Sequence, residues 1–322
     1  MARRPRTAPV APVTWRDGVH LTGTPIWCDA RRRRDVCFVS SADRVVRAGH
    51  GQLIGTPTTI ALLAGKDSGH LAVPILRPFT LGTLRLELIP SGRGLGAAAL
   101  HVDTGMRTVL YAGAIRTVHP SEPAQVRTSD AVVVAAPVGE PGHRFEPVDD
   151  VAERVIEWTR AQLVADRPPV LVVDIVLDGL ELAARLVAAG LSVAGSRSLR
   201  DAAAVLGDSS IRAPGKDSSV LIRVEGDRVK TSPPNATAAL VSARALDPSP
   251  GPEWSAADSR PPWDARFAWP FVAGRDQLLG WIEQTRAKHV FVTGACAESI
   301  AEAVGPHARV LGPPRQMALF SS

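Results

Sequence analysis

Leu278-Leu-Gly-Trp-Ile-Glu-Gln-Thr-Arg-Ala-Lys-His-Val-Phe-Val-Thr-Gly294 decides how this chain is organised. It reads as a helix, within Asp276–Arg286, running into a short buried strand, His289–Thr293, with a further helix from Ala297. A similar alternation occurs upstream. Val170–Val176 reads as a buried strand, Asp178–Ala189 as a helix ending at Gly190, and Leu191–Ala194 as the next strand, a pattern of parallel strands joined by crossover helices. Before it, Asp150 and Glu153 offer a capping box, and Val151, Val155, Ile156 and Leu163 mark an apolar helical stripe. Val220–Val224 and Ala238–Ser242 are candidate strands, and Asp208–Ser219 is polar and loop-like. Asp247–Asp264, rich in Pro, Ser and Trp, reads as a long surface loop. The first 145 residues are short apolar runs broken by Gly and Pro. Their candidate strands are Val36–Ser40, Thr83–Ile89, Ala97–Val102, Arg107–Ala112 and Ala131–Ala136. The expected class is α/β.

Composition narrows the setting. The chain has 322 residues, enough for a large core and one or two domains. Its formal net charge is +5, and Lys occurs only at Lys66, Lys216, Lys230 and Lys288, so the basic residues are overwhelmingly Arg. Arg forks suit phosphate and carboxylate. Cys28, Cys37 and Cys296 form no CxxC pair and read as buried thiols of a reducing compartment. The start, Met1-Ala-Arg-Arg-Pro-Arg, is basic without an apolar h-region, and no apolar run approaches the length of a membrane span. The expectation is a cytoplasmic protein with no membrane partner.

Several segments, in order, resemble one family. Asp35-Val-Cys-Phe-Val-Ser-Ser-Ala-Asp-Arg-Val45 sits where metallo-β-lactamase-fold nucleases have a strand running into His-x-His-x-Asp-His. Gly49-His-Gly-Gln-Leu-Ile-Gly-Thr-Pro-Thr-Thr59 is similar to their Gly-x-Gly-x-x-x-Ala-Thr-x-x-Thr stretch, and Ser91-Gly-Arg-Gly-Leu-Gly-Ala-Ala98 to Ala-Gly-His-x-Leu-Gly-Ser-Ala. Val109–Ile115 resembles a strand ending Tyr-Thr-Gly-Asp-Phe, and Ala131–Gly139 one ending Glu-x-Thr-x-Gly. Leu278–Gly294 resembles the closing helix and strand before a Thr-His-Gly. The likeness covers roughly residues 13–310 and is nearest to the branch with a β-CASP insertion that includes DNA-ligase-associated exonucleases and messenger-RNA 3′-end processing factors. It implies an αββα sandwich, residues 1–144 and 269–310, with a smaller β/α lobe inserted at 145–268 and a tail from 311 to 322.

Residue by residue, the same likeness implies an emptied metal site. The first two histidines of His-x-His-x-Asp-His fall on Val39 and Ser41, its aspartate on Asp43, and its last histidine on Arg44. The next histidine falls on Arg93, the bridging aspartate on Ala114, and the insertion's first acidic position on Ala135. The Asp-His-Ala-Asp-Trp box becomes Phe271-Val-Ala-Gly-Arg275, with Val272 at the histidine, and the final histidine falls on Gly294. A dinuclear hydrolase needs several His and carboxylate donors, and Ala114, Val272 and Gly294 have none. The expectation is no catalytic residue and no metal.

The eight histidines contain no His-x-His or His-x-x-x-His pair. A site for Zn or Mn rebuilt from Asp43, His50, His101 and Asp103, serving an active exonuclease or hydrolase, is the alternative. Gly92-Arg-Gly-Leu-Gly96 resembles a dinucleotide loop, but the following Ala97–Val102 reads as a strand where that fingerprint needs a helix. Arg31-Arg-Arg-Arg34, with Arg44 and Arg93, are candidate phosphate contacts to DNA or RNA.

Gln316-Met-Ala-Leu-Phe320 resembles the short peptide with which bacterial DNA-processing proteins bind the replication sliding clamp. Gln316 would supply a polar anchor, and Met317, Leu319 and Phe320 the apolar contacts. Together these features predict a degenerate nuclease-fold protein, an accessory or scaffold in DNA processing, recruited by the clamp. A silent partner of an active paralogue is a further reading.

Overall fold

The computed structural model describes residues 11–43, 49–65, 68–118, 123–215, 220–227, 235–246 and 263–313. Within them the fold is mixed α/β, with three sheets and six α-helices.

The first sheet is built in chain order from β1 (Val13–Trp15), β2 (Val19–Leu21), β3 (Ile26–Cys28), β4 (Val36–Phe38), β5 (Gln52–Gly55) and β6 (Leu71–Ala72), with α1 (Pro57–Ala64) between the last two. Its first three strands are antiparallel and the rest pair in parallel. Thr56 caps α1 by accepting the amide of Thr59 at 3.1 Å, and Pro57 opens its first turn.

The second sheet starts with β7 (Phe79–Leu81), β8 (Leu84–Pro90), β9 (Ala98–Asp103), β10 (Thr108–Gly113) and β11 (Ala131–Ala135). The chain then leaves it to form α2 (Val148–Val164), β12 (Pro169–Val173), α3 (Val176–Ala188), β13 (Val193–Gly195), α4 (Arg197–Leu206), β14 (Ile211–Arg212), β15 (Val220–Val224), β16 (Thr237–Val241) and β17 (Ala265–Phe267). These strands make a separate, all-parallel sheet in the order β14-β13-β15-β12-β16-β17. The chain returns through α5 (Arg275–Thr285), β18 (His289–Thr293), α6 (Ala297–Val304) and β19 (Ala308–Val310). There β18 inserts in parallel between β11 and β19 and completes the order β19-β18-β11-β10-β9-β8-β7. Everything from α2 to β17 is thus an excursion between two neighbouring strands of one sheet.

Strand β11 shows why the layers form. Its sequence, Ala-Val-Val-Val-Ala, is apolar throughout because both faces are covered. Ala131 and Val133 pack with Leu88, Leu100, Phe38 and Ile54, in the core between the first two sheets. Val132 and Val134 pack with Leu278, Trp281 and Ile300 from α5 and α6. On the far side, Ile60 of α1 packs with Cys37, Val39 and Leu53 of the first sheet. In the excursion, Leu171 and Val173 of β12 face α2, α3 and α4 through Val155, Leu182 and Leu199.

Several sequence expectations need correction. Helix α2 begins at Val148 after Pro147 with no side-chain cap, so Asp150 lies inside its first turn and the Asp150–Glu153 capping box does not form. Helix α4 was hidden in sequence because it carries mostly Ala and charged residues and buries only Leu199 and Ala203. Chain departure at Leu311 does not occur: its amide donates to the Val292 carbonyl at 2.8 Å and its side chain packs on the core.

Candidate functional site

Loops of the core and the first turn of helix α3 meet around one arginine. Arg93 lies in the Gly92–Gly96 loop between β8 and β9 and is 4 % exposed. One of its terminal nitrogens lies 3.1 Å from Asp43 Oδ2, and the other donates to Asp178 Oδ1 at 3.0 Å. The Phe271 ring lies beneath the guanidinium, 4.2 Å from its centroid. Asp178 belongs to the first turn of α3 and is 3 % exposed. Burial pushes its carboxyl up to about 7, against the opposing pull of Arg93, and the carboxylates of Asp43 and Asp174 add to the rise.

Glycine is what allows the loop to bring Arg93 here. Gly92 has φ +69°, and a Cβ on it would sit 1.9 Å from the carbonyl oxygen of Arg116. The Gly96 carbonyl is pinned by two hydroxyl donors, Thr56 Oγ1 at 2.6 Å and Thr59 Oγ1 at 2.8 Å. The Gly-Thr-Pro-Thr-Thr stretch therefore braces the loop that carries Arg93. That loop leads into strand β9 rather than a helix, as the sequence requires of a chain without a dinucleotide fingerprint.

Most of the other positions that the sequence resemblance aligns with metal ligands carry apolar side chains. Ala114 and Val272 share one apolar cluster with Val138, Ala243 and Phe271. Val39 is buried against Cys37, Leu53 and Ile60, and Ala135 is buried at the end of β11. Ser41 is buried, and Gly294 follows β18 with φ +102°, where a Cβ would meet the Ala136 carbonyl oxygen at 2.8 Å. Arg44 lies outside the described residues.

Arg93 was expected to meet phosphate. Its guanidinium is enclosed, with the carboxylates of Asp43 and Asp178 against it. In the Arg31–Arg34 run, Arg31 and Arg33 are exposed, while Arg32 pairs with Asp17 at 3.0 Å. Arg34 stacks on Trp27 at 3.7 Å and donates to the Arg16 carbonyl.

The residues suggested for a rebuilt metal site are not brought together. Asp43 pairs with Arg93, and His50 Nδ1 accepts the Arg34 amide at 3.1 Å. His101 and Asp103 lie on β9, where His101 is paired in register with Glu87. Burial lowers the proton affinity of both His50 and His101. Among the described residues, no three His, Cys, Asp or Glu side chains converge.

Two polar groupings escaped sequence reading. Asp29, at φ +45°, accepts the Ser40 amide at 2.9 Å, the Ser40 hydroxyl at 2.6 Å and the Tyr111 hydroxyl at 2.8 Å, tying the ends of β3 and β4 to β10. Asp174, Glu225 and Ser242, each just beyond a parallel strand, surround Arg244, which donates to Asp174 and Glu225. Such C-terminal strand edges are where ligands bind in parallel α/β sheets. The repeated junctions of an apolar run with a polar residue, at Asp174, Glu225 and Ser242, were the available signal.

Searches against protein-family models and curated proteins find no match to this chain. Solved structures share the fold. One is the crystal structure of a protein of unknown function from Enterococcus faecalis V583, with a TM-score of 0.57 and 12 % identity over 88 % of this chain and 80 % of that one. Among the described residues, no helix is long and apolar enough to cross a membrane.

Proposed function

We propose that this chain is a catalytically degenerate relative of the metallo-β-lactamase-fold nucleases, acting as an accessory or scaffold in DNA processing. The reading takes the two face-to-face sheets with outer helices as the αββα sandwich, residues 1–144 and 269–310, and the excursion within 145–268 as a β-CASP-like lobe. One observation carries it. Positions that would bear metal ligands in such a nuclease are here occupied by the Ala114–Val272 hydrocarbon cluster and by the Arg93 guanidinium, which lies against Asp43. A guanidinium supplies the positive charge of a metal but cannot activate a water molecule.

In this reading, recruitment falls to Gln316-Met-Ala-Leu-Phe320, which lies outside the described residues. A short peptide that orders on binding should give micromolar affinity, about 8 kcal/mol. Nucleic-acid contact, to DNA or RNA, falls to the exposed Arg31 and Arg33.

The test combines elemental analysis, a nuclease assay in Mn²⁺ and Zn²⁺, and clamp-binding titrations with wild type and Leu319→Ala/Phe320→Ala. Expected are no stoichiometric metal, no cleavage, and clamp binding that the double substitution abolishes. Bound Zn or Mn with cleavage would favour an active exonuclease with a rebuilt site. Equal clamp binding by both proteins would remove the recruitment step.

A further inference from the structure

Two buried arginines of the core are gripped by carboxylates one turn apart on α3. Arg93 meets Asp178, and Arg116, 2 % exposed, donates to both carboxylate oxygens of Glu181 at 2.7 and 3.2 Å. Residues three apart lie on one face of a helix, so a single face of α3 meets both cations. The loops carrying the arginines are themselves joined, since the Arg116 amide donates to the Ser91 carbonyl at 2.9 Å.

The two grips differ in charge. Arg116 meets a single carboxylate, Glu181, which also lies 3.6 Å from Arg185. Arg93 stands between two carboxylates, Asp43 from the core and Asp178 from α3, with an aromatic face below it. Two enclosed carboxylates repel each other unless a cation or a proton offsets the charge, and removing the cation is costly. The planar fork fits because its two terminal nitrogens reach different partners at 3.1 and 3.0 Å. In addition, Asp43 Oδ1 is buried and meets no hydrogen-bond donor among the described residues, so that carboxylate keeps acceptor capacity.

We propose that Asp43, Asp178 and the Phe271 ring form a binding site for a planar guanidinium-type cation, filled by the chain's own Arg93, and that this site fastens α3 to the core. The inference stands apart from the nuclease reading and holds whether or not that reading survives. If the site recognises a cation rather than merely tolerating one, deleting the Arg93 side chain leaves a vacancy that a free guanidinium ion can fill.

The experiment follows melting temperature and α3 amide exchange in wild type, Arg93→Ala and Arg93→Ala/Asp178→Asn, in millimolar guanidinium chloride or sodium chloride at matched ionic strength. For Arg93→Ala we expect a lowered melting temperature and α3 amides exchanging about tenfold faster. Guanidinium should restore both saturably, sodium should not, and the double variant should not respond. Absence of recovery, or equal recovery in the double variant, would overturn the proposal. Should Arg93→Ala yield only insoluble protein, Arg93→Lys decides, because one ammonium cannot span both carboxylates as a fork does. Faster α3 exchange in the lysine variant supports the site, and wild-type exchange overturns it.

Discussion

Arg93 and Asp178 stand 85 positions apart in the chain, yet their side chains meet at 3.0 Å with both residues almost fully enclosed. One comes from a glycine-rich loop between two core strands, the other from the first helix after β12. The contact joins the excursion to the core by charge.

The contribution of Asp178 to stability should fall as pH rises from about 4 to about 7. Burial holds the Asp178 carboxyl at about 7 in the folded chain, against an ordinary value near 3.8. Over that interval the unfolded chain has released this proton and the folded chain has not, so the group disfavours folding increasingly up to pH 7 and constantly beyond. Asp178→Asn resembles the neutral form. Urea midpoints across this range should slope less in the variant, which at every pH lacks the charge-assisted bond between Arg93 and Asp178. Superimposable pH profiles would contradict the assignment.

Arg116→Ala should destabilise the fold by roughly 3 kcal/mol, the lower end of the cost of stripping one partner from a buried pair. The lower end applies because Glu181 keeps a second cation, Arg185, at 3.6 Å. Equilibrium denaturation measures this directly, and a loss below about 1 kcal/mol, typical of exposed pairs, would show that the bridge is solvated.

Gly92→Ala should prevent normal folding. The residue combines a left-handed φ of +69° with a carbonyl oxygen 1.9 Å from the new methyl position, and backbone cannot give way as a side-chain tip can. Gly82→Ala, with φ +61° but open space around it, isolates the conformational cost alone and should fold with a loss of about 1 kcal/mol. Soluble yield and melting temperature of the pair check this, and similar behaviour would show that the Arg116 carbonyl moves aside.

The native thiols should resist labelling. Cys28, Cys37 and Cys296 are free and buried. Burial raises all three above the ordinary thiol range, Cys37 to about 12, so little reactive thiolate exists at neutral pH. A disulfide-exchange reagent should titrate them only after denaturant is added, and rapid reaction of the folded protein would refute this.

Periodicity and composition alone determined much of the framework. His289–Thr293 and Val220–Val224 were legible to the residue, because continuous β-branched runs with both faces covered have no other stable use. Glycine clusters marked the loop carrying Arg93, and the spacing of the cysteines marked buried thiols. The short strands β1 to β3, at three residues each, and the alanine-rich α4 were not legible, because so few residues carry no periodic signal. Only the tertiary structure decided what Arg93 faces. A fixed positive charge beside Asp43 reads from sequence as a site for phosphate. Asp178 turns it into a closed internal pair, and no local pattern in α3 announces that partner. Charge compensation depends on distance through space, which the chain sets only after β12 and α3 have packed against the core.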